Sequence, residues 1–235
     1  MAAMVKPRAI AIDGPAGVGK STVAKAVARR LGFAYVDSGA TYRAAALKVL
    51  ESGVSPDDAA HAAEAVTGAD IRLEVRGGEC RVLLDGEDVE GRIRTPEVTL
   101  AASKVSRLPE VRQKLVALQR RVAAGCDVVM EGRDIGTVVL ADAPLKIFLR
   151  AETEERARRR LGQEKEEGIG RTLAETAEAI ARRDRLDTER RLSPLITAGD
   201  AVQIDTTELT ADQVVERIIE LATQRKLIER VKGKG

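Results

Sequence analysis

The chain has 235 residues, 44% of them apolar but only 2% aromatic and none Trp, so a core of Ala, Val, Leu and Ile is expected, in one large domain or a core with insertions. With 39 basic against 37 acidic residues the net charge is +2, and so few aromatics argue against a nucleic-acid binder. No run approaches the roughly 18 apolar residues of a membrane span, which excludes a membrane helix and leads us to expect a soluble, cytoplasmic protein, monomeric in the absence of any contrary signal.

In chain order, Arg8–Asp13 is an apolar run suited to a buried strand. Gly14, Pro15, Ala16, Gly17, Val18, Gly19, Lys20 and Ser21 match GxxxxGK[ST], and Thr22 to Leu31 is an alanine-rich helical stretch closed by Gly32. Strand, loop and helix aim backbone N–H groups and a helix N-terminus at phosphate. The segment Gly14–Thr22 is therefore expected to hold a nucleoside triphosphate, with Lys20 on its terminal phosphates and the Ser21 hydroxyl on Mg²⁺. Phe33–Asp37 reads as a second strand, Thr41–Glu51 as a helix, and Ser55-Pro56-Asp57-Asp58 caps another helix running to Val66. The single His61 falls in that helix, which makes Ser-His-Asp chemistry improbable.

Period-two alternation over Ile71–Val75, the turns Gly77-Gly78 and Asp85-Gly86, and the strands Arg81–Leu84 and Asp88-Val89 predict a small antiparallel insertion. Pro96 and Pro109 open two helices, to Ser106 and Ala124. Cys126 is read as the start of a core strand through Met130; Cys80 and Cys126 form neither a metal pattern nor a disulfide framework. Leu145–Leu149 is a fourth core strand, followed by the charged stretch Glu152–Glu167, a helix over Thr172–Arg191, a fifth strand Ala201–Asp205, a closing helix Thr210–Arg230 and a frayed tail Val231–Gly235. Strands alternating with helices predict a parallel sheet covered on both faces, with ligands at the carboxyl ends of its strands.

Four segments beyond the glycine loop carry chemistry of two possible kinds. Asp37–Arg43 is either a capped helix start with a solvated Arg43 or a second anion site. Glu131-Gly132-Arg133-Asp134 is either a surface turn held by an ion pair, or a Mg²⁺-directed carboxylate followed by a guanidinium fork for phosphate. The run Arg156, Arg158, Arg159, Arg160 follows Glu154 and Glu155, so it is either a set of i,i+4 pairs on a solvated helix or a lid that delivers arginines to a transferring phosphoryl group. The charged stretch Arg182–Arg191 carries the same ambiguity.

Taken together, Ile12–Ser21, Asp37–Arg43, Gly86–Val89, Ile93–Val98, Gly132–Val139 and Ala143–Leu149 make the chain similar to the bacterial cytidylate kinases over nearly its whole length. The resemblance implies an α/β P-loop kinase: a five-stranded parallel sheet with helices on both faces, an antiparallel β insertion in the monophosphate-binding region, and a helical lid. It implies a core of residues 1–37, 97–150 and 192–235, a monophosphate region of 38–96 with its insertion at about 70–95, a lid of 151–171 and a returning helix of 172–191. Carried over by motif, Ser38, Arg43, Arg133 and Arg190 would hold the monophosphate, Ser103, Arg112 and Asp134 would read the cytosine, and Arg183 and Asp187 would face the sugar and neighbouring phosphates, with Tyr42 also in the acceptor site. Lys20, Arg133, Arg156 and Arg159 would act on the transferring phosphoryl group, and Ser21 with Glu131 would hold the metal, although Glu131 stands where Asp is expected. The implied substrates are ATP with Mg²⁺, and CMP and dCMP as acceptors.

Overall fold

The computed structural model describes residues 7–166 and 170–229. Strand β1 (Ala9–Asp13) lies at the centre of a sheet whose parallel part runs β2 (Ala34–Asp37), β6 (Val128–Gly132), β1, β7 (Leu145–Arg150), β8 (Val202–Asp205). These five are the expected parallel strands. Each is short and at least half apolar; β1 and β6 are buried along their whole length, as suits central strands covered on both faces, while the edge strand β8 is half exposed. Ile10 and Ile12 point to one side, where they pack with Val23 and Val27 of α1 (Lys20–Leu31) and with Val214 and Ile218 of α8 (Ala211–Gln224). Ala9 and Ala11 point to the other side, into a cluster with Val128, Met130 and Val116 of α5 (Pro109–Gly125).

A second core lies beyond the β2 edge. There α2 (Ser38–Glu51), α3 (Ala59–Gly68), α4 (Pro96–Val105) and the start of α5 enclose Ala44, Val49, Ile71, Val82 and Ile93. The antiparallel insertion, β3 (Ile71–Arg76), β4 (Glu79–Leu84) and β5 (Glu87–Asp88), is not a separate hairpin. It continues the main sheet, because β4 pairs with β2 at Tyr35 and Glu79. The charged stretch after β7 becomes α6 (Thr153–Glu166), which folds back against α7 (Leu173–Glu189).

The main departures from the sequence reading are three boundaries and one unexpected turn. Helix α2 begins at Ser38 rather than Thr41, because the Asp37 carboxylate accepts from the Ala40 N–H and caps it. Cys126 ends α5 instead of opening a strand, and both cysteines are free thiols. Helix α8 ends at Gln224; Arg230 and the tail Val231–Gly235 lie outside the described residues. Finally, Ile135–Val139, which no periodicity marked, is a π-helical turn between β6 and β7.

Candidate active site

The carboxyl ends of β1, β2 and β6 open into a cleft of about 670 Å³. The glycine loop forms one end of it. Gly17 has φ +74°, and a Cβ there would sit 2.7 Å from the Arg156 carbonyl oxygen, so only glycine lets the loop pass this close to α6. Ala16, Gly17, Gly19, Lys20, Ser21 and Thr22 line the cleft, while Gly14, Pro15 and Val18 lie behind it. The buried Lys20 ammonium donates to the Pro15 carbonyl at 2.7 Å. Burial, and then the Arg133 and Arg183 guanidiniums, hold its pKa down to about 7.

The opposite end is the start of α2. Ser38 donates to the Glu131 carbonyl at 2.6 Å, and Arg43 pairs with Asp37 at 2.6 Å. Burial favours the neutral form of Asp37, but Arg43 outweighs it and the carboxyl stays below its ordinary value. The Tyr42 hydroxyl and Arg43 Nε are buried with no partner among the described residues. A Cβ on Gly132 would meet Ser38 Oγ at 2.5 Å, so the strand end of β6 can approach α2 only as glycine.

Between these ends stand Arg133 and Arg183. Arg133 donates to Asp187 at 2.8 Å, and both are largely buried. Burial and Arg133, with Arg43 and Arg160 adding to it, bring Arg183 down to about 10. Three cations, Lys20, Arg133 and Arg183, thus crowd one cleft: Arg133 depresses both of the others, while its own burial is outweighed by the charge of Asp187, the bond to it and the nearby Asp184, so that its pKa is raised. Such an arrangement calls for a polyanion.

The third group is a buried carboxylate held by two arginines. Asp134 pairs with Arg112 and, at 3.6 Å, with Arg190, and all three side chains are at most 6% exposed. Arg112 also lies over the Tyr42 ring at 5.6 Å. Ser103, on α4, borders the same space and donates to Thr99. The structure therefore gathers Ser38, Tyr42, Arg43, Ser103, Arg133, Asp134, Arg183, Asp187 and Arg190 around one cleft, with Arg112 behind Asp134 and paired to it, although they come from α2, α4, α5, the β6 end and α7.

Glu131 lies beside them, buried, accepting from the Tyr35 hydroxyl at 2.7 Å. Burial raises its carboxyl above the ordinary range and the nearby Asp37 charge adds to this, while the neighbouring Lys20 charge and Ser21 hydroxyl pull it back. A carboxylate so placed, next to a hydroxyl at the end of a phosphate loop, suits a Mg²⁺ ion completed by water and phosphate oxygens. No group of three His, Cys, Asp or Glu side chains forms a metal cage among the described residues.

The two lid arginines are placed differently from the expectation. Arg156 is buried, and its guanidinium donates to the Ala16 carbonyl and to Asp184, whose other oxygen accepts from the Ala16 N–H. Arg159 donates to Glu155 and to Thr206 and Thr207 after β8. Neither borders the cleft; Arg160, Arg171, Arg94 and the buried Glu164 do. Glu164 accepts from Arg160, Arg171 and Thr176 and ties α6 to α7. The sequence assigned no individual role to Arg94, Glu164 or Asp184, and named Asp37 only as a strand end and the first residue of the Asp37–Arg43 segment. Only Asp37, at a strand end before a helix, carried a local signal.

A parallel sheet with a phosphate loop, a second anion-binding end and an arginine-rich helical hairpin defines a P-loop kinase of small-molecule type. The cytidylate kinase family profile matches residues 10–224. The chain is 53% identical over 211 residues to "Cytidylate kinase" of Caldanaerobacter subterraneus subsp. tengcongensis, covering 90% of this chain and 92% of that one. It is 49% identical over 216 residues to the cytidylate kinase of Geobacillus kaustophilus, covering 92% and 96%. The chain belongs to the cytidylate kinase family. Among solved structures, an uncharacterized protein from Eubacterium ventriosum shares the fold at a TM-score of 0.52 and 14% identity, covering 93% of this chain and 99% of that one. No helix among the described residues is long and apolar enough to cross a membrane.

Proposed function

We propose that the protein transfers the γ-phosphoryl group of ATP to CMP, and also to dCMP, giving ADP and CDP or dCDP, as a monomeric enzyme of the cytoplasm. The observation that carries the reading is the crowding of Lys20, Arg133 and Arg183 between the glycine loop and the start of α2. Lys20 and Arg183 hold their protons less tightly beside Arg133, and phosphates entering between them would relieve that repulsion, so the cluster is pre-set for two anionic nucleotides meeting end to end. The loop N–H groups and Lys20 hold the donor. Ser38, Arg43, Arg133 and Arg190 hold the acceptor phosphate, and Asp187 and Arg183 face its sugar.

No general base is required, because the acceptor oxygen belongs to a phosphate already ionised at neutral pH. Ser21 and Glu131 would hold Mg²⁺, which would neutralise charge on the donor phosphates when bound. Asp134 accepts from the cytosine amino group while Arg112 and Ser103 donate to its ring nitrogen and carbonyl. Uracil presents a carbonyl where cytosine has the amino group, which sets two acceptors face to face. That mismatch costs on the order of 1–3 kcal/mol, and more for a buried carboxylate left unpaired. We assign residues 38–96 to acceptor binding and 151–171 to a lid. In that lid, Arg156 orders the donor loop and Arg159 anchors the foot of α6. ADP release measured with CMP, dCMP, UMP and shikimate as acceptors tests the reading: CMP and dCMP are expected to turn over fastest, and UMP or shikimate matching CMP would refute it.

A further inference from the structure

Asp13 is buried at the last position of β1, one residue before the glycine loop, and none of the roles above uses it. Its two carboxylate oxygens accept separate backbone hydrogen bonds, from Ile135 at 2.9 Å and from Gly136 at 2.7 Å. Those are the first N–H groups of the π-helical turn that follows Asp134. At a helix start such groups have no partner within the helix, and the side chain at the N-cap position ordinarily supplies one.

Here the N-cap residue is Asp134 itself, an amino acid well suited to that task, yet its side chain makes no capping bond. Its backbone is held at φ −144° and ψ 27°, between the extended and helical regions. Its carboxylate turns outward to Arg112 and Arg190 instead. The cap is provided from a different strand. β1 and β6 lie in register with Asp13 opposite Gly132, which puts the Asp13 carboxylate directly under the turn that leaves β6.

We infer that Asp13 is a positioning residue for acceptor-base recognition: by capping the Ile135–Val139 turn in place of Asp134, it frees the Asp134 carboxylate to face the pyrimidine. Because Gly14 follows it directly, the same side chain fixes the base-reading turn to the start of the donor loop. Burial raises the Asp13 carboxyl to about 6, against the pull of the two N–H groups, so the clamp is a charged group kept in a costly place. The inference rests on Asp134 being the residue that reads the base.

The test is Asp13→Asn, which keeps the shape but turns an amide NH₂ toward one of the two N–H donors. One charge-assisted bond is lost, and the Asp134 carboxylate is then drawn to its own helix start. The KM for CMP is expected to rise about tenfold, and the preference for CMP over UMP to fall by about the same factor, on the scale of one such bond. The KM for ATP should change little. An unchanged KM for CMP with unchanged preference, or a loss in kcat that is equal for CMP and UMP, overturns the inference. Asp134→Ala, measured alongside, separates the two claims. If it erodes the preference while Asp13→Asn does not, only the role of Asp13 fails; if Asp134→Ala itself retains the preference, the base-reading assignment fails and this inference with it. Should Asp13→Asn not fold, the wild-type amide signals of Ile135 and Gly136 carry the test: CMP should shift both and slow their exchange more than UMP does, and an equal response to the two overturns the inference.

Discussion

Arginines dominate both the cleft floor and the first helix of the lid, yet the two groups obey different physics. On the floor, Arg112 and Arg190 share Asp134, and Arg133 binds Asp187, all nearly out of solvent. On the outer face of α6, Arg158 and Glu154 form an i,i+4 pair with more than 60% of each side chain exposed. The floor ion pairs are desolvated, so removing one member leaves an uncompensated charge. The lid pair exchanges protein for water at almost no cost. A run of arginines therefore says little until the partner and burial of each are known.

The largest losses are expected at the cleft floor. Lys20→Ala removes the ammonium proposed to reach the donor's terminal phosphates, and the neighbouring Arg133 and Arg183 cannot take its position. Turnover should fall by about three orders of magnitude or more, as expected when a transition-state charge contact is lost, while the melting temperature holds. A near-normal kcat would remove Lys20 from the mechanism. The next largest effect is expected for Asp134→Ala. It deletes the proposed acceptor for the cytosine amino group and leaves Arg112 and Arg190 without their shared anion. The ratio of kcat/KM for CMP to that for UMP should drop by about 10- to 100-fold, the range of one bidentate mismatch. An undiminished ratio would refute the reading role.

Much of this was legible in the sequence because it is local. The glycine loop needs only a strand before it and a helix after it, and both were evident from Arg8–Asp13 and Thr22–Leu31. The five parallel strands and the antiparallel insertion followed from periodicity and turn residues. The pyrimidine site was not legible in that way: Arg112, Asp134 and Arg190 lie on three elements far apart in the chain, and they were brought together through family resemblance rather than spacing. The lid arginines show the opposite limit. Glu154, Glu155, Arg158 and Arg159 spell a solvated helix, and nothing in those letters distinguishes Arg158 from Arg156, which the fold turns inward onto Ala16 and Asp184. Asp13 was silent as well, since an acid ending a buried strand finds its partners 122 and 123 residues away.

That contrast within one helix supplies the last and finest test. Arg156 carries a side chain 9% exposed and bridges α6, the donor loop and Asp184, which is 18% exposed. Arg156→Ala should lower stability by about 2–3 kcal/mol, somewhat under the full value for a buried pair because Asp184 keeps some water. It should also raise the KM for ATP, since Ala16 loses the clasp on its carbonyl. Arg158→Ala, only two positions away, removes an exposed pair and should change stability by less than about 0.5 kcal/mol and activity not at all. Denaturant unfolding of the two variants, with ATP titration of each, decides the matter. If both fall alike, the helix acts as a single cationic surface and the inward turn of Arg156 has no separate role. If only Arg156→Ala falls, the lid is hinged to the donor loop through that one side chain, and the rest of the helix is free to move about it.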